Sequence, residues 1–192
     1  YINLTSEVLF DINDFNIALT EAAAADGLVL DMRGFPGVDL SEVASRVIGD
    51  SWSGAIFRVA MHTGPDDVSI DEYADTFDPL EMPSYGGPIV LLVGNGSLSA
   101  AEHFSMALVD AKRVTVVGRS TAGTDGNITG IQLPGQFAIS FTGMDVRHAD
   151  AQKSVFHGVG IVPDIEVELT AAAFRDGIDP ELEAAVTHLL TP

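Results

Sequence analysis

Short unbroken apolar runs alternate along the chain with longer stretches whose apolar positions recur every three or four residues. The unbroken runs are "GLVLDM", "PIVLLVG" and "VTVVG". They predict strands buried on both faces, where neither side of the pleat can carry polar groups. The periodic stretches are "DINDFNIALTEAAAADG", "VDLSEVASRVIG", "SAAEHFSMALVDA" and "DPELEAAVTHLL", and they predict amphipathic helices. Their ends carry helix signals: Asp11 or Asn13 can cap the first helix and Gly27 end it, Gly49 closes the second, and Asp179 with Pro180 opens the last. "YINLTS" and "GAIFRVAMHT" predict further strands, and "RGFPG" a turn. From Gly64 to Gly87 the chain is acidic, carries prolines and shows no clear period, so a long surface loop with at most one short helix is expected. Shorter β segments are expected at "GIQLP", "FAISFTG", "MDVRHA" and "DIEVEL".

Strands alternating with helices imply β-α-β units, a mainly parallel sheet and a late antiparallel β addition. No internal repeat or interdomain linker breaks the pattern, so residues 1–192 read as a single domain. The chain opens on Tyr1 rather than Met, and is expected to be a piece of a longer or processed polypeptide.

Charge narrows the function classes. With 28 acidic and 9 basic residues the formal net charge is −19, a surface that repels phosphate backbones and anionic head groups. Nucleic-acid and membrane-surface binding are therefore disfavoured. No apolar run reaches the length of a membrane span. Cysteine is absent, which rules out disulfides, a thiol nucleophile and cysteine-ligated zinc in this segment. No carboxylate–histidine cluster has metal-ligand spacing, and no cofactor is expected.

The candidate chemistry lies in "GNGSLSAAEHF", Gly94 to Phe104. Ser99 follows a buried strand and a glycine-containing turn and precedes an amphipathic helix. That placement exposes a hydroxyl at the carboxyl edge of the sheet, where open α/β folds bind ligands. The first N–H groups of the helix point into the same space. An oxyanion there can be held by the N–H of Ala100, and by a second donor from "RGFPG", the N–H of Gly37. The competing reading is a helix N-cap, a role for which Ser97 is a second contender. The G-x-S-x-G consensus of a nucleophile elbow is not met.

Three segments, "GLVLDMRGFPG", "PIVLLVGNGSLSAAEHFSMALVDAKRVTVVGRSTAG" and "FHGVGIVPDIEV", stand in the order and spacing of the carboxyl-terminal processing proteases. The chain resembles this family of serine peptidases, also called tail-specific proteases, with the tricorn core proteases as relatives. The resemblance implies a ClpP/crotonase-like α/β fold of stacked β-β-α units, a polypeptide substrate and a periplasmic or secreted location. A homo-oligomer is compatible with it. Ser99 matches the family's nucleophile, Ala100 and Gly37 its oxyanion donors, and Glu102 and Asp110 acidic positions that support the site. On the residues alone, both acids are solvated helix-face charges.

The sequence also departs from the family. Many members place a catalytic lysine where "TAGTDGN" has Thr124, and a threonine hydroxyl is no general base near neutral pH. Lys112 and Lys153 stand at a helix end and in a polar turn. Three answers stay open. A histidine can substitute, with His157 of "FHGVG" ahead of His103, and His148, His62 and His188 behind. A base can come from polypeptide preceding Tyr1, the preferred answer. Or the site is inactive and the fold binds a peptide or lipophile without cleaving it. Crotonase-type acyl-CoA chemistry is a more distant possibility, since the chain is short of basic residues for a nucleotide. Asp125 and Asn127 either clamp a peptide or orient a base, or simply make a turn. A substrate peptide is expected to add as a strand near "GIQLP". No PDZ-like module is evident.

Overall fold

A computed structural model describes residues 1–5, 11–80 and 83–191. Its strands are β1 (Ile2–Asn3), β2 (Leu28–Asp31), β3 (Trp52–His62), β4 (Val68–Phe77), β5 (Ile89–Val93), β6 (Thr115–Gly118), β7 (Ile128–Leu133), β8 (Phe137–Thr142), β9 (Asp145–Arg147) and β10 (Ile165–Glu166). The helices are α1 (Ile12–Glu21), α2 (Leu40–Val47), α3 (Ala100–Asp110), α4 (Ala171–Asp176) and α5 (Pro180–Leu190).

The unbroken apolar runs form the centre of a parallel five-stranded sheet, ordered β1-β2-β5-β6-β10. Their alternate side chains enter two different cores. Leu28, Leu30, Ile89, Leu91, Val93 and Val116 face the larger one, with Phe104, Leu108 and Val43 from α3 and α2. Val29, Val90, Leu92 and Val117 face the smaller one, closed by Ala185 of α5. Burial on both faces accounts for runs with no polar interruption.

Helix ends follow local chemistry. Asp11 caps α1 by accepting the N–H groups of Asn13 and Asp14. The helix ends at Glu21 and a 3₁₀ turn, Ala22–Ala24, follows it, so Gly27 lies beyond the helix. Gly49, with φ +87°, follows α2 in the left-handed conformation that a glycine adopts without a Cβ penalty. Asp179 caps α5 through the Leu182 N–H, with Pro180 in the first turn.

The expected ClpP/crotonase-like stack of β-β-α units is corrected by the topology. Residues after α2 leave the parallel sheet and build a separate antiparallel sheet, β4-β3-β9, while β7 and β8 form an isolated two-stranded hairpin. The result is a multi-sheet α/β fold, mixed in strand direction, rather than one repeated unit.

The expected loop between Gly64 and Gly87 is also corrected. β4 occupies Val68–Phe77 and pairs with β3 along nearly its whole length. Residues 81–82 of that segment, and Ser6 of the first predicted strand, lie outside the described residues. Of "DIEVEL" only Ile165–Glu166 pairs in the sheet. The sequence reading missed α4, which Thr170 caps and Gly177 ends at φ +68°.

Candidate active site

The turn between β5 and α3 is tied down from below. Ser97 is fully buried; its hydroxyl donates to the Met32 carbonyl at 2.6 Å and accepts the Gly94 N–H at 3.0 Å. It is thereby committed to the turn, and Ser99 stands at the N-cap of α3.

The backbone of Ser99 is strained, with φ 48° and ψ −112°. A non-glycine residue in such a conformation costs about 1–3 kcal/mol and persists only where its surroundings enforce it. A sharp strand-to-helix turn of this kind lifts a serine hydroxyl clear of the sheet, as in a nucleophile elbow, although the glycine consensus is absent. Among the described residues no acceptor takes the Ala100 N–H, so a main-chain donor beside Ser99 is unspent.

Glu102 supplies much of the enforcement. Its side chain is wholly buried and accepts five hydrogen bonds. Thr121 Oγ1 donates at 2.5 Å, Gly123 N at 2.6 Å, Thr124 N at 2.8 Å, Thr124 Oγ1 at 3.0 Å and Ser99 N at 3.2 Å. Ser99 and Glu102 are thus disposed as a capping box, in which the Ser99 side chain makes no regular cap hydrogen bond. Gly123 is required where it is. At φ +70°, a Cβ there would come within 2.9 Å of Val159 N and 3.0 Å of Gly158 N and Gly160 N. Thr124, at the family's lysine position, is engaged with Glu102 through both amide and hydroxyl.

A cleft of about 330 Å³ opens beside Ser99, lined also by Ala100, His103, Asp75, Asp125 and Asn127. Among the described residues that line it, His103 is the only basic side chain. Its Nε2 lies 2.7 Å from Asp75 Oδ2 and its Nδ1 3.3 Å from Asp125 Oδ2. Its ring stacks on Phe57, with centroids 5.4 Å apart and planes at 19°. Burial alone would lower the imidazole, but the hydrogen bond and charge of Asp125 and the charge of Asp75 outweigh it. They hold His103 above its ordinary value of 6.5. A second cleft of about 230 Å³ meets the first at Ala100, His103 and Asp75, and is lined by Pro36, Val38, Leu40, Phe77 and Phe104.

Other expected site residues lie elsewhere or are already engaged. His157 accepts the Val146 N–H at 3.3 Å and donates to the Asp125 carbonyl at 2.5 Å, so both ring nitrogens hold main chain. It lines a different cleft, with Arg58, Phe141 and Asp145. Asp110 accepts from His148 Nδ1 and the Ala149 N–H, each at 2.8 Å, and anchors the stretch after β9. The Gly37 N–H donates to the Leu4 carbonyl at 3.1 Å. The expected second oxyanion donor is therefore engaged in this structure, as part of the bridge between Thr5 and Pro36. Val38 follows it on the wall of the second cleft, and among the described residues nothing accepts its N–H. Lys153 pairs with Glu72, and neither lysine lines the Ser99 cleft.

Asp75, Phe57 and Tyr73 were absent from the sequence candidates. The alternation in "VSIDEYADTF" was the available signal, with Ser69, Asp71, Tyr73, Asp75 and Phe77 on one face, but the surrounding acidic residues obscured it. Among the described residues no group of three or more potential ligands is placed to hold a metal ion, and no helix is long and apolar enough to cross a membrane.

Residues 1–167 match Peptidase family S41, and the chain belongs to that family. A carboxyl-terminal-processing protease of Synechocystis is 29% identical over 163 residues, which cover 83% of this chain and 35% of that protein. The crystal structure of a putative peptidase from Parabacteroides merdae superposes with a TM-score of 0.80 at 25% identity, covering 93% of this chain and 56% of that one. The tricorn protease gives a TM-score of 0.65 at 18% identity, over 98% of this chain and 17% of its own. These likenesses place the fold with the S41 peptidases and overturn the ClpP/crotonase expectation. The chain spans between 16% and 35% of the length of four curated relatives that it matches.

Proposed function

We propose that this chain is the catalytic domain of a serine endopeptidase that acts on polypeptides. The observation that carries the reading is the strained Ser99 backbone, which holds a hydroxyl at the start of α3 beside an unspent N–H on an open cleft. An ordinary N-cap adopts extended angles without cost, so the strain at Ser99 goes beyond what capping α3 requires and is of the kind that pre-organises a site.

In the proposed reaction Ser99 Oγ attacks a peptide carbonyl carbon. The carbonyl electron pair moves onto oxygen, where the Ala100 N–H receives it, joined by the Val38 N–H on the adjoining wall. Glu102 fixes the Ser99 amide and the 121–124 loop, and so keeps the hydroxyl in place. The apolar cleft of Pro36, Val38, Leu40, Phe77 and Phe104 accepts a non-polar side chain next to the scissile bond. Asn127 leads from the Ser99 cleft into the β7–β8 hairpin. Within the described residues each of these strands pairs only with the other, so an extended substrate can add along an outer edge. Family membership also supports an extracytoplasmic setting, since bacterial S41 peptidases are typically periplasmic or secreted.

The test is hydrolysis of unfolded polypeptides by the full-length protein. The reading expects cleavage that Ser99→Ala reduces by about 10³-fold or more. Intact binding of a peptide or lipophile, with no cleavage by wild type, would instead favour a non-catalytic member of the fold.

A further inference from the structure

Two flanking carboxylates favour the charged form of an imidazole, and a charged imidazole cannot accept a proton. His103 is in that position, on the helix of the candidate nucleophile and without a competing lysine on the cleft. We propose that His103 is the general base for Ser99, oriented by Asp125 and held at rest by Asp75, which an arriving substrate displaces. The inference rests on the peptidase reading above and extends it to the proton acceptor and its control.

The placement follows from helix geometry. His103 lies four residues after Ser99, and helical side chains lean toward the amino end, so its ring covers the turn that carries Ser99. Both residues line one cleft.

The two carboxylates differ in how firmly they are held. Asp125 is 4% exposed, its Oδ1 accepts the Gly126 N–H at 2.8 Å, and its carbonyl is held by His157. It is a fixed partner for Nδ1. The Asp75 side chain is 44% exposed, and among the described residues His103 is its only hydrogen-bond partner. It is a movable partner for Nε2. Asp75 stands where the catalytic and apolar clefts meet, so a substrate side chain filling the apolar cleft crowds it.

The other groups packed around His103 do not replace Asp75. Phe57 of β3 and Tyr73 of β4 present aromatic rings and no carboxylate, and the Glu102 carboxylate is turned to the 121–124 loop.

Once Asp75 withdraws, Nε2 releases its proton to water and presents a lone pair to the cleft, while Nδ1–H donates to Asp125. As the Oγ–carbon bond forms, the Ser99 proton passes to Nε2 and the carbonyl pair moves onto oxygen. When the carbon–nitrogen bond breaks, that proton goes to the leaving amine. A water molecule then attacks the acyl carbon and gives its proton to Nε2, which returns it to Ser99 Oγ as the ester breaks. Atoms and charge balance, and no co-reactant is needed.

The experiment measures kcat and KM against pH for the full-length protein on a fluorogenic peptide with an apolar residue before the scissile bond. His103→Gln is expected to lower kcat by about 10²–10⁴-fold with a much smaller change in KM. Asp75→Asn is expected to move the acid limb of the kcat/KM profile, which reports the free enzyme, to lower pH, raising kcat/KM on the acid side. Wild-type kcat and pH dependence in His103→Gln, with Ser99→Ala inactive, would overturn the base assignment and leave the peptidase reading standing. An unmoved acid limb in Asp75→Asn would overturn the resting lock, and that variant decides if His103→Gln does not fold. Absence of cleavage by wild type would remove the peptidase reading, and this inference with it.

Discussion

Two clusters of acidic side chains, one joining the end of β2 to α5 and one beside the start of α3, have counter-charges that differ in kind. In the first, Arg33 bridges Asp31 at 2.6 Å, Asp179 at 2.8 Å and Glu181 at 2.8 Å, and Arg119 reaches Glu181 at 3.0 Å. In the second, Glu102 is satisfied by neutral donors alone, and Asp125 and Asp75 share the imidazole of His103. A guanidinium stays charged at every accessible pH, so the first cluster is a permanent lock between the end of β2 and α5. An imidazole changes charge near neutrality, so the second cluster has two states. A fold that needed only cohesion at the cleft would have no use for the second arrangement.

Removing the permanent cation should have the largest effect on stability. Arg33→Ala leaves the Asp31 and Glu181 carboxylates buried with weakened compensation, and a loss of about 3–5 kcal/mol is expected in urea unfolding. Reactivity at Ser99 should persist in the fraction still folded. A loss of reactivity before unfolding would show that the two clusters are coupled.

Glu102→Gln is the corresponding change at the cleft. The new amide NH₂ faces N–H donors of the 123–124 loop that it cannot accept, and a cost of about 1–3 kcal/mol is expected. Unlike Arg33→Ala, it should also lower the peptidase rate of folded protein, because Ser99 loses its anchor.

The smallest effect separates the clusters by pH. His103 is raised by its two carboxylates, against the opposing effect of burial, and His148 by its hydrogen bond to Asp110. A raised imidazole contributes stability that is complete below its ordinary value of 6.5 and is lost as pH rises through the folded value. Asp179 is lowered, chiefly by its hydrogen bond to Arg33, so its contribution is present above the ordinary value of 3.8 and lost on acidification. Urea midpoints should therefore fall modestly from mildly acidic to alkaline pH, and His148→Asn should flatten that slope. The Arg33 cluster should respond only on the acid side.

The parallel core was legible because residues buried on both faces leave uninterrupted apolar runs, and Ile89–Val93 could hardly be anything but a central strand. Capped helices were legible for the same local reason, as Asp11 and Asp179 show. The β3–β4 ribbon was half hidden. Almost every residue of β4 is exposed, so composition pointed to a loop while the pairing partner lay in the preceding segment.

At the site, the strand–turn–serine–helix order identified Ser99 and Ala100 as candidates. It did not reveal that the Gly37 amide is consumed by Leu4, because hydrogen-bond partners distant in sequence leave no local trace. His103 and His157 were indistinguishable for that reason too. Only the fold brings Asp75 and Asp125 to His103 and main-chain groups to His157.

The Ser99 hydroxyl is reactive if this domain is a serine peptidase. Treating the full-length protein with a serine-directed fluorophosphonate and mapping the adduct by peptide mass spectrometry tests it most directly. A single covalent adduct on Ser99, absent from Ser99→Ala and leaving Ser97 unmodified, is the expected result. No adduct on folded protein, or modification at another serine, would contradict it.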